Sequence, residues 1–297
     1  MTAAEAVAAL TGRPVAAVSP LGGAYRVRLA DGGAVVAKRH DHVSAAPAEV
    51  AGLRWLAAGP PNSSVAAGTD SAGTRGDGCP PVPAVLGHDD KWLVIELVEV
   101  GPAGAGAAEE FGRRLAALHA SGAPAFGAPP PGGPVDAWIG LAPMRNVTGP
   151  DWPGWYAEHR LRPYLRTAVD QGVLDDAAPI EAVCERIGEL AGPAEPPARL
   201  HGDLWRGNVL WSTDGQVWLI DPAAHGGHRE TDLAMLHLFG CPRLDRIVAA
   251  YDEAAPLAAG WRARVPLHQL FPLLVHTVLF GGGYGAQAVA AARQALR

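Results

Sequence analysis

The chain has 297 residues, 48% apolar and 18% charged, which is enough to bury one large core or two linked ones and too apolar for a disordered segment. A net charge of −6 and an isoelectric point near 6.0 leave no basic stripe for a phosphate backbone, which excludes nucleic acid as the main partner. Cys79, Cys184 and Cys241 form no CxxC pair, the first residues lack a basic n-region, and the apolar run 270–280 is short and broken by Pro272 and His276. The expectation is a cytoplasmic monomer with no disulfide framework and no membrane span.

In chain order, the first hundred residues read as a small strand-rich lobe. Residues 24–29 and 34–39 are predicted strands joined by the Asp31-Gly32-Gly33 turn. Residues 45–58 form a helix that stops before Gly59-Pro60-Pro61. Residues 59–83 are mainly Gly, Pro, Ser, Thr and Asp, the composition of a surface insert. Two further strands follow at 82–86 and 92–98. From residue 101 the pattern turns helical. After a Gly-rich joint at 101–106, residues 109–119 place Phe111, Leu115 and Leu118 on one face. A Pro/Gly loop covers 121–135. Asp151 caps a helix with Pro153 in its first turn, running to about residue 169, and another spans 175–191. The apolar runs 209–211 and 216–220 flank Asp214-Gly215, a hairpin signal. Helices are expected near 230–238, 243–255, 262–280 and 284–296.

The predicted architecture is therefore α+β and two-lobed. A small antiparallel β-sheet lobe with one main helix occupies 1–99. A larger, mainly helical lobe occupies 100–297, with a cleft between them.

Chemistry-bearing residues concentrate at that cleft. HGDLWRGN, 201–208, puts Asp203 five positions before Asn208, and Asp221 comes 13 positions later, beyond the hairpin. This is the skeleton of a kinase catalytic loop, Asp-x4-Asn, followed by an Asp on the next strand. One carboxylate must sit beside the attacking hydroxyl, while an amide and a second carboxylate offer hard oxygens to Mg²⁺. Any one of these residues alone is ordinary turn or cap chemistry; all three in register around a hairpin point to catalysis. Lys38, in a strand, is the candidate phosphate-gripping lysine of an ATP site. Glu49 shares a helix face with Leu53 and Leu56, so it needs a cation partner, and Lys38 is nearest. Gly22 and Gly23 precede Lys38 and allow close backbone approach to a phosphate, although a glycine pair is also common turn chemistry. Glu96 to Val98 is the candidate adenine-contacting segment, from position alone.

HGDLWRGNV at 201–209 and DPAAHGGHRETDLAM at 221–235 closely resemble the fructosamine/ketosamine kinase family, relatives of aminoglycoside phosphotransferases with a protein-kinase-like fold. DWPGWYAEHRL at 151–161 and LHQLFPLLVHTVLFGGGY at 267–284 support the resemblance, which runs from about Leu21 to the end. It implies ATP-dependent phosphorylation of the 3-hydroxyl of a ketosamine, free or protein-bound, after which the unstable product releases the amine. It further implies that Asp203 is the base, that Asn208 and Asp221 hold Mg²⁺, that Trp205 faces the acceptor, that His276 and Glu230 are candidate acceptor contacts, and that Asp232 braces the catalytic loop. Two departures bear on acceptor choice: the long 59–83 insert, and Val278 where relatives often place a polar residue. Two other readings stay open, an aminoglycoside- or choline-type phosphotransferase and a non-catalytic ATP-binding pseudokinase.

Overall fold

The computed structural model of the chain describes residues 1–59 and 78–297. Most of the expected insert, residues 60–77, lies outside the described residues. The amino-terminal lobe is built on a five-stranded antiparallel sheet. Its strands are β1 (Val15–Leu21), β2 (Ala24–Leu29), β3 (Ala34–Arg39), β4 (Val85–His88) and β5 (Trp92–Glu96), in the order β1-β2-β3-β5-β4. Alternation of side chains buries Val27 and Leu29 on β2 and Val35 and Ala37 on β3. These pack with Trp92 and Val94 under helix α1 (Ala3–Thr11) through Ala3, Ala6 and Val7. The opposite face, Leu93 and Ile95, packs on Val50 and Leu53 of helix α2 (Ala45–Ala57).

The one main helix expected in this lobe is α2, and the shorter α1 covers the other face of the sheet. The sequence held a signal for α1: Thr2 and Glu5 form a reciprocal capping box, with Thr2 N donating to Glu5 Oε2 at 2.8 Å and Glu5 N donating to Thr2 Oγ1 at 3.3 Å.

The larger lobe is mainly helical. It contains α3 (Ala105–Ala120), α4 (Trp152–Tyr156), α5 (Arg162–Asp170), α6 (Ala178–Leu190), α7 (Arg229–Leu238), α8 (Leu244–Ala254), α9 (Trp261–Phe280) and α10 (Tyr284–Ala295). The long helix α9 lies at the centre, and its Leu270, Phe271 and Leu274 join the core shared with Trp152, Leu161 and Ala288. The expected helix from Asp151 to about 169 is α4 and α5 joined by a π-helical turn, Ala157–Leu161, and Asp151 caps it through Gly154 N. That turn aims Arg160 inward, where it donates to Arg145 O at 3.0 Å and Asn146 Oδ1 at 2.8 Å.

Three short two-stranded pieces complete the lobe. Strands β6 (Asp136–Ile139) and β7 (Ala142–Arg145) form a hairpin just beyond the predicted Pro/Gly loop, where no strand was expected. β8 (Ala198–Leu200) pairs with β11 (His225–Gly227), and β9 (Val209–Trp211) pairs with β10 (Val217–Leu219) as the Asp-Gly signal predicts. No helix among the described residues is long and apolar enough to cross a membrane.

Candidate active site

The key side chains meet because three local structures end at one place. Lys38 leaves β3 beside α2, and its Nζ lies 2.8 Å from Glu49 Oε2 and 3.1 Å from Asp221 Oδ1. Glu49 is buried with Leu53 and Leu56, as its helix face requires. Gly52 lets α2 rest on the segment after Asp221; a Cβ there would stand 3.1 Å from Pro222 Cγ. Burial alone would lower the Lys38 pKa, but the Glu49 and Asp221 carboxylates outweigh it and raise it. Burial alone would raise Glu49, whereas the Lys38 charge and nearby His40 bring it down to about 2. His40 Nε2 stands 3.2 Å from Glu49 Oε2, and the other Glu49 oxygen is buried with no hydrogen-bond partner among the described residues.

The loop from His201 to Asn208 is held from beneath. Gly202 has φ of +82°, and a Cβ there would lie 2.1 Å from Ala223 O, so only glycine fits. Asp232, in the first turn of α7, accepts from His201 N at 2.8 Å and from Gly202 N at 3.0 Å. His119 Nε2 sits 3.2 Å from the same carboxylate, and its Nδ1 is 2.8 Å from the Tyr251 hydroxyl. The His201 ring donates from Nε2 to Ile220 O at 2.9 Å and accepts from Asp203 N at Nδ1, the pattern of a neutral imidazole. Burial lowers its pKa in agreement.

Above this brace, Asn208 Nδ2 donates to Asp203 O at 2.9 Å and to Asp203 Oδ2 at 3.0 Å. Burial pushes the Asp203 carboxyl up to about 7; the Asn208 amide opposes the rise, and the Asp221 charge adds to it. Asp221 is also raised, by burial and by Glu49, against Lys38. It holds a left-handed backbone, φ +53°, unusual for a residue other than glycine.

Lys38, Glu49, Asp203, Trp205, Asn208 and Asp221 all line one cavity of about 700 Å³. At its base Glu49 and Asp221 pair with Lys38 while Asp203 has no salt-bridge partner among the described residues, and both aspartates have raised pKa values. That is a site with excess negative charge, which a dication relieves. The donor set fits a hard cation: Asn208 turns its Nδ2 to Asp203, leaving its amide oxygen, and Lys38 holds only one Asp221 oxygen.

The remaining candidates divide. Gly23 lines the cavity, whereas Gly22, at φ +56°, makes the β1–β2 turn and does not. Glu96 and Val98 lie outside the cavity lining, and the Glu96 carboxylate accepts from Ala84 N at 3.3 Å. Trp205 is 37% exposed, folds over Gly207 and meets Phe239 edge-on at 6.1 Å. His276 stands behind Phe239, with ring centroids 4.7 Å apart, and does not itself line the cavity.

Glu230 is a correction. It is buried away from the cavity, gripped by Arg264 at 2.9 and 2.5 Å, with His268 Nε2 at 3.3 Å, so no acceptor can reach it. Sequence reasoning missed His40 and His119. For His40 a signal existed: it stands two residues beyond Lys38, and the period of a strand returns it to the same face.

A β3 lysine paired with a helix glutamate, over an Asp-x4-Asn loop and a further Asp after a hairpin, defines the protein-kinase-like phosphotransferases. Residues 77–297 match the family model described as fructosamine kinase, and the chain belongs to that family. A crystal structure described as a fructosamine-3-kinase from Thermobifida fusca is 48% identical, with a TM-score of 0.87 over 100% of this chain and 99% of that one. A protein described as a ketoamine kinase from Synechocystis is 37% identical over 71% of this chain and 69% of its own length. The chloroplastic protein-ribulosamine 3-kinase of Arabidopsis thaliana is 33% identical over 67% of this chain and 60% of its own.

Proposed function

We propose that this protein is an ATP-dependent kinase that phosphorylates the 3-hydroxyl of ketosamines, free or protein-bound. The observation that carries this reading is the convergence of Lys38, Glu49, Asp203, Asn208 and Asp221 on one cavity in a chain of the fructosamine kinase family.

Asp203 accepts the hydroxyl proton. The freed oxygen bonds to the γ-phosphorus of ATP, the bond from that phosphorus to the β–γ bridging oxygen breaks, and ADP leaves. An Asp203 carboxyl whose pKa lies near 7 is well matched to taking a proton at neutral pH. Lys38, steadied by Glu49, grips the phosphates. Asn208 and Asp221 would hold Mg²⁺, which supplies charge neutralisation on the phosphates when bound. Gly23 approaches the phosphates by backbone, and the Glu96–Val98 segment offers backbone groups to adenine. Residues 1–99 would then serve the nucleotide and 100–297 the catalytic loop and the acceptor. Trp205 stacks on the acceptor, with Phe239 and His276 supporting its ring.

The test is mass spectrometry of the protein with Mg-ATP and ribulose-, erythrulose- and fructose-lysine. Wild type should add one phosphate. Asp203→Asn should lose about 10²- to 10⁴-fold in kcat while still binding ATP. Phosphate gain on an aminoglycoside or choline but on no ketosamine would overturn the reading.

A further inference from the structure

We infer that the stacked His42–Trp138 pair, with Leu141 beside it, is the carrier-binding wall of the acceptor site. It holds the amine-bearing part of a ketosamine while the sugar hydroxyl lies at Asp203. The inference rests on the ketosamine kinase reading and specifies what that cavity selects.

The hairpin β6–β7 reaches from the helical lobe to the corner between β3 and α2. Ser44 turns that corner with φ +69° and donates from Oγ to Asp136 O at 2.6 Å. Trp138 Nε1 donates to Val43 O at 3.2 Å and lies 3.3 Å from Ser44 Oγ. The indole stacks on His42, with centroids 4.0 Å apart and planes at 13°. The corner thus satisfies the polar edge of the indole and fixes its plane. His42, Trp138 and Leu141 line the same cavity as Asp203 and Trp205. Leu141, at the hairpin turn, is 67% exposed, an apolar side chain held out where a ligand can cover it.

The occupant follows from the connectivity of the acceptor. In a ketosamine the amine nitrogen is bonded to C1, two carbons from C3. With the C3 hydroxyl at Asp203, the amine and all that it carries must run outward along the cavity. The charges at this rim are paired with one another, Arg39 with Asp41 at 3.5 Å and Arg145 with Asp136 at 3.2 Å. What the wall offers is therefore mainly the flat ring faces of His42 and Trp138 and the apolar side chain of Leu141. Such a surface suits the alkyl stem of a modified lysine. Sugar hydroxyls need hydrogen-bond partners, and of this wall only the edge of the His42 ring offers one, since Trp138 Nε1 is already engaged and Leu141 is apolar.

The experiment compares the ribulose adducts of methylamine and of Nα-acetyl-lysine as acceptors for wild type, Trp138→Ala and Leu141→Ser. KM for the lysine adduct should rise about tenfold in Trp138→Ala and about threefold in Leu141→Ser. KM for the methylamine adduct, KM for ATP and kcat should all stay within about twofold. Equal rises on both adducts would overturn the carrier assignment. So would a rise in KM for ATP in Trp138→Ala with no effect of Leu141→Ser, because the hairpin would then act only by holding the β3–α2 corner. Wild type that phosphorylates neither adduct would remove the ketosamine reading itself, a result read before any variant is compared.

Discussion

Lys38 divides its charge between two carboxylates, one on a helix and one after a hairpin, and this fixes where its ammonium stands. Glu49→Gln keeps the shape and removes the charge. Lys38 then keeps Asp221 as its one carboxylate partner among the described residues and is drawn toward the oxygens proposed for the cation. A charge-assisted hydrogen bond is worth about 1.5–3 kcal/mol, so kcat/KM for ATP should fall about ten- to a hundredfold. Steady-state kinetics with ATP varied would read this, and an unchanged kcat/KM would rule the pairing out as a functional one. The pair was legible in the sequence because a lone carboxylate on an apolar helix face demands a cation. His40 was not read, although strand alternation placed it, because a histidine beside a basic residue carries no such demand. Trp205 was legible from its motif; its support by Phe239 and His276 depends on helices that only the fold brings together.

At the scale of elements, α7 does two jobs in its first turn. Asp232 holds the catalytic loop, and Glu230 ties the helix to α9 through Arg264 and His268. Glu230→Gln would leave the buried Arg264 guanidinium without its counter-charge. That costs about 3–5 kcal/mol of stability. Activity per folded molecule should be retained, since Glu230 lies away from the cavity. Thermal unfolding beside kcat at low temperature would show this; a large loss of kcat with an unchanged Tm would return Glu230 to the acceptor site. The sequence could place Glu230 near the catalytic motif, but its partner lies 34 residues on, and no local pattern announces such a pair. Long helices were legible because their apolar period repeats over several turns, as in α9. The β6–β7 hairpin was not, because each strand has four residues and the turn between them is Gly140-Leu141, too little for alternation to register. That hairpin carries the wall inferred for the carrier, so the least legible element bears on selectivity and the most legible motif on phosphoryl transfer.

For the molecule as a whole, the division into a sheet lobe and a helical lobe followed from composition and period alone, whereas its response to acid depends on burial that only the fold creates. His201, His225, His228 and His268 are all buried, and burial lowers the pKa of each from an ordinary value of 6.5, in His225 to about 3. His201 and His228 also accept backbone N–H bonds at Nδ1, which only the neutral ring can do. Below pH 6.5 the unfolded chain binds protons that the folded chain refuses. The stabilisation is therefore complete above 6.5 and is lost as pH falls toward the folded values. Each such histidine contributes a slope of about 1.4 kcal/mol per pH unit once the unfolded form is protonated. Asp203, near 7 in the fold against an unfolded 3.8, and Asp221, also raised by burial, act in the opposite sense, since the fold binds their extra protons, but they are two groups against four. Glu49 and Glu230, both held near 2, add their loss only below the ordinary glutamate value of 4.5. Thermal unfolding at constant ionic strength should therefore show Tm falling between about pH 6.5 and 5, before the glutamates titrate. A Tm that stays flat across that interval and drops only below it would mean that these histidines are protonated within the fold, which their packing does not allow.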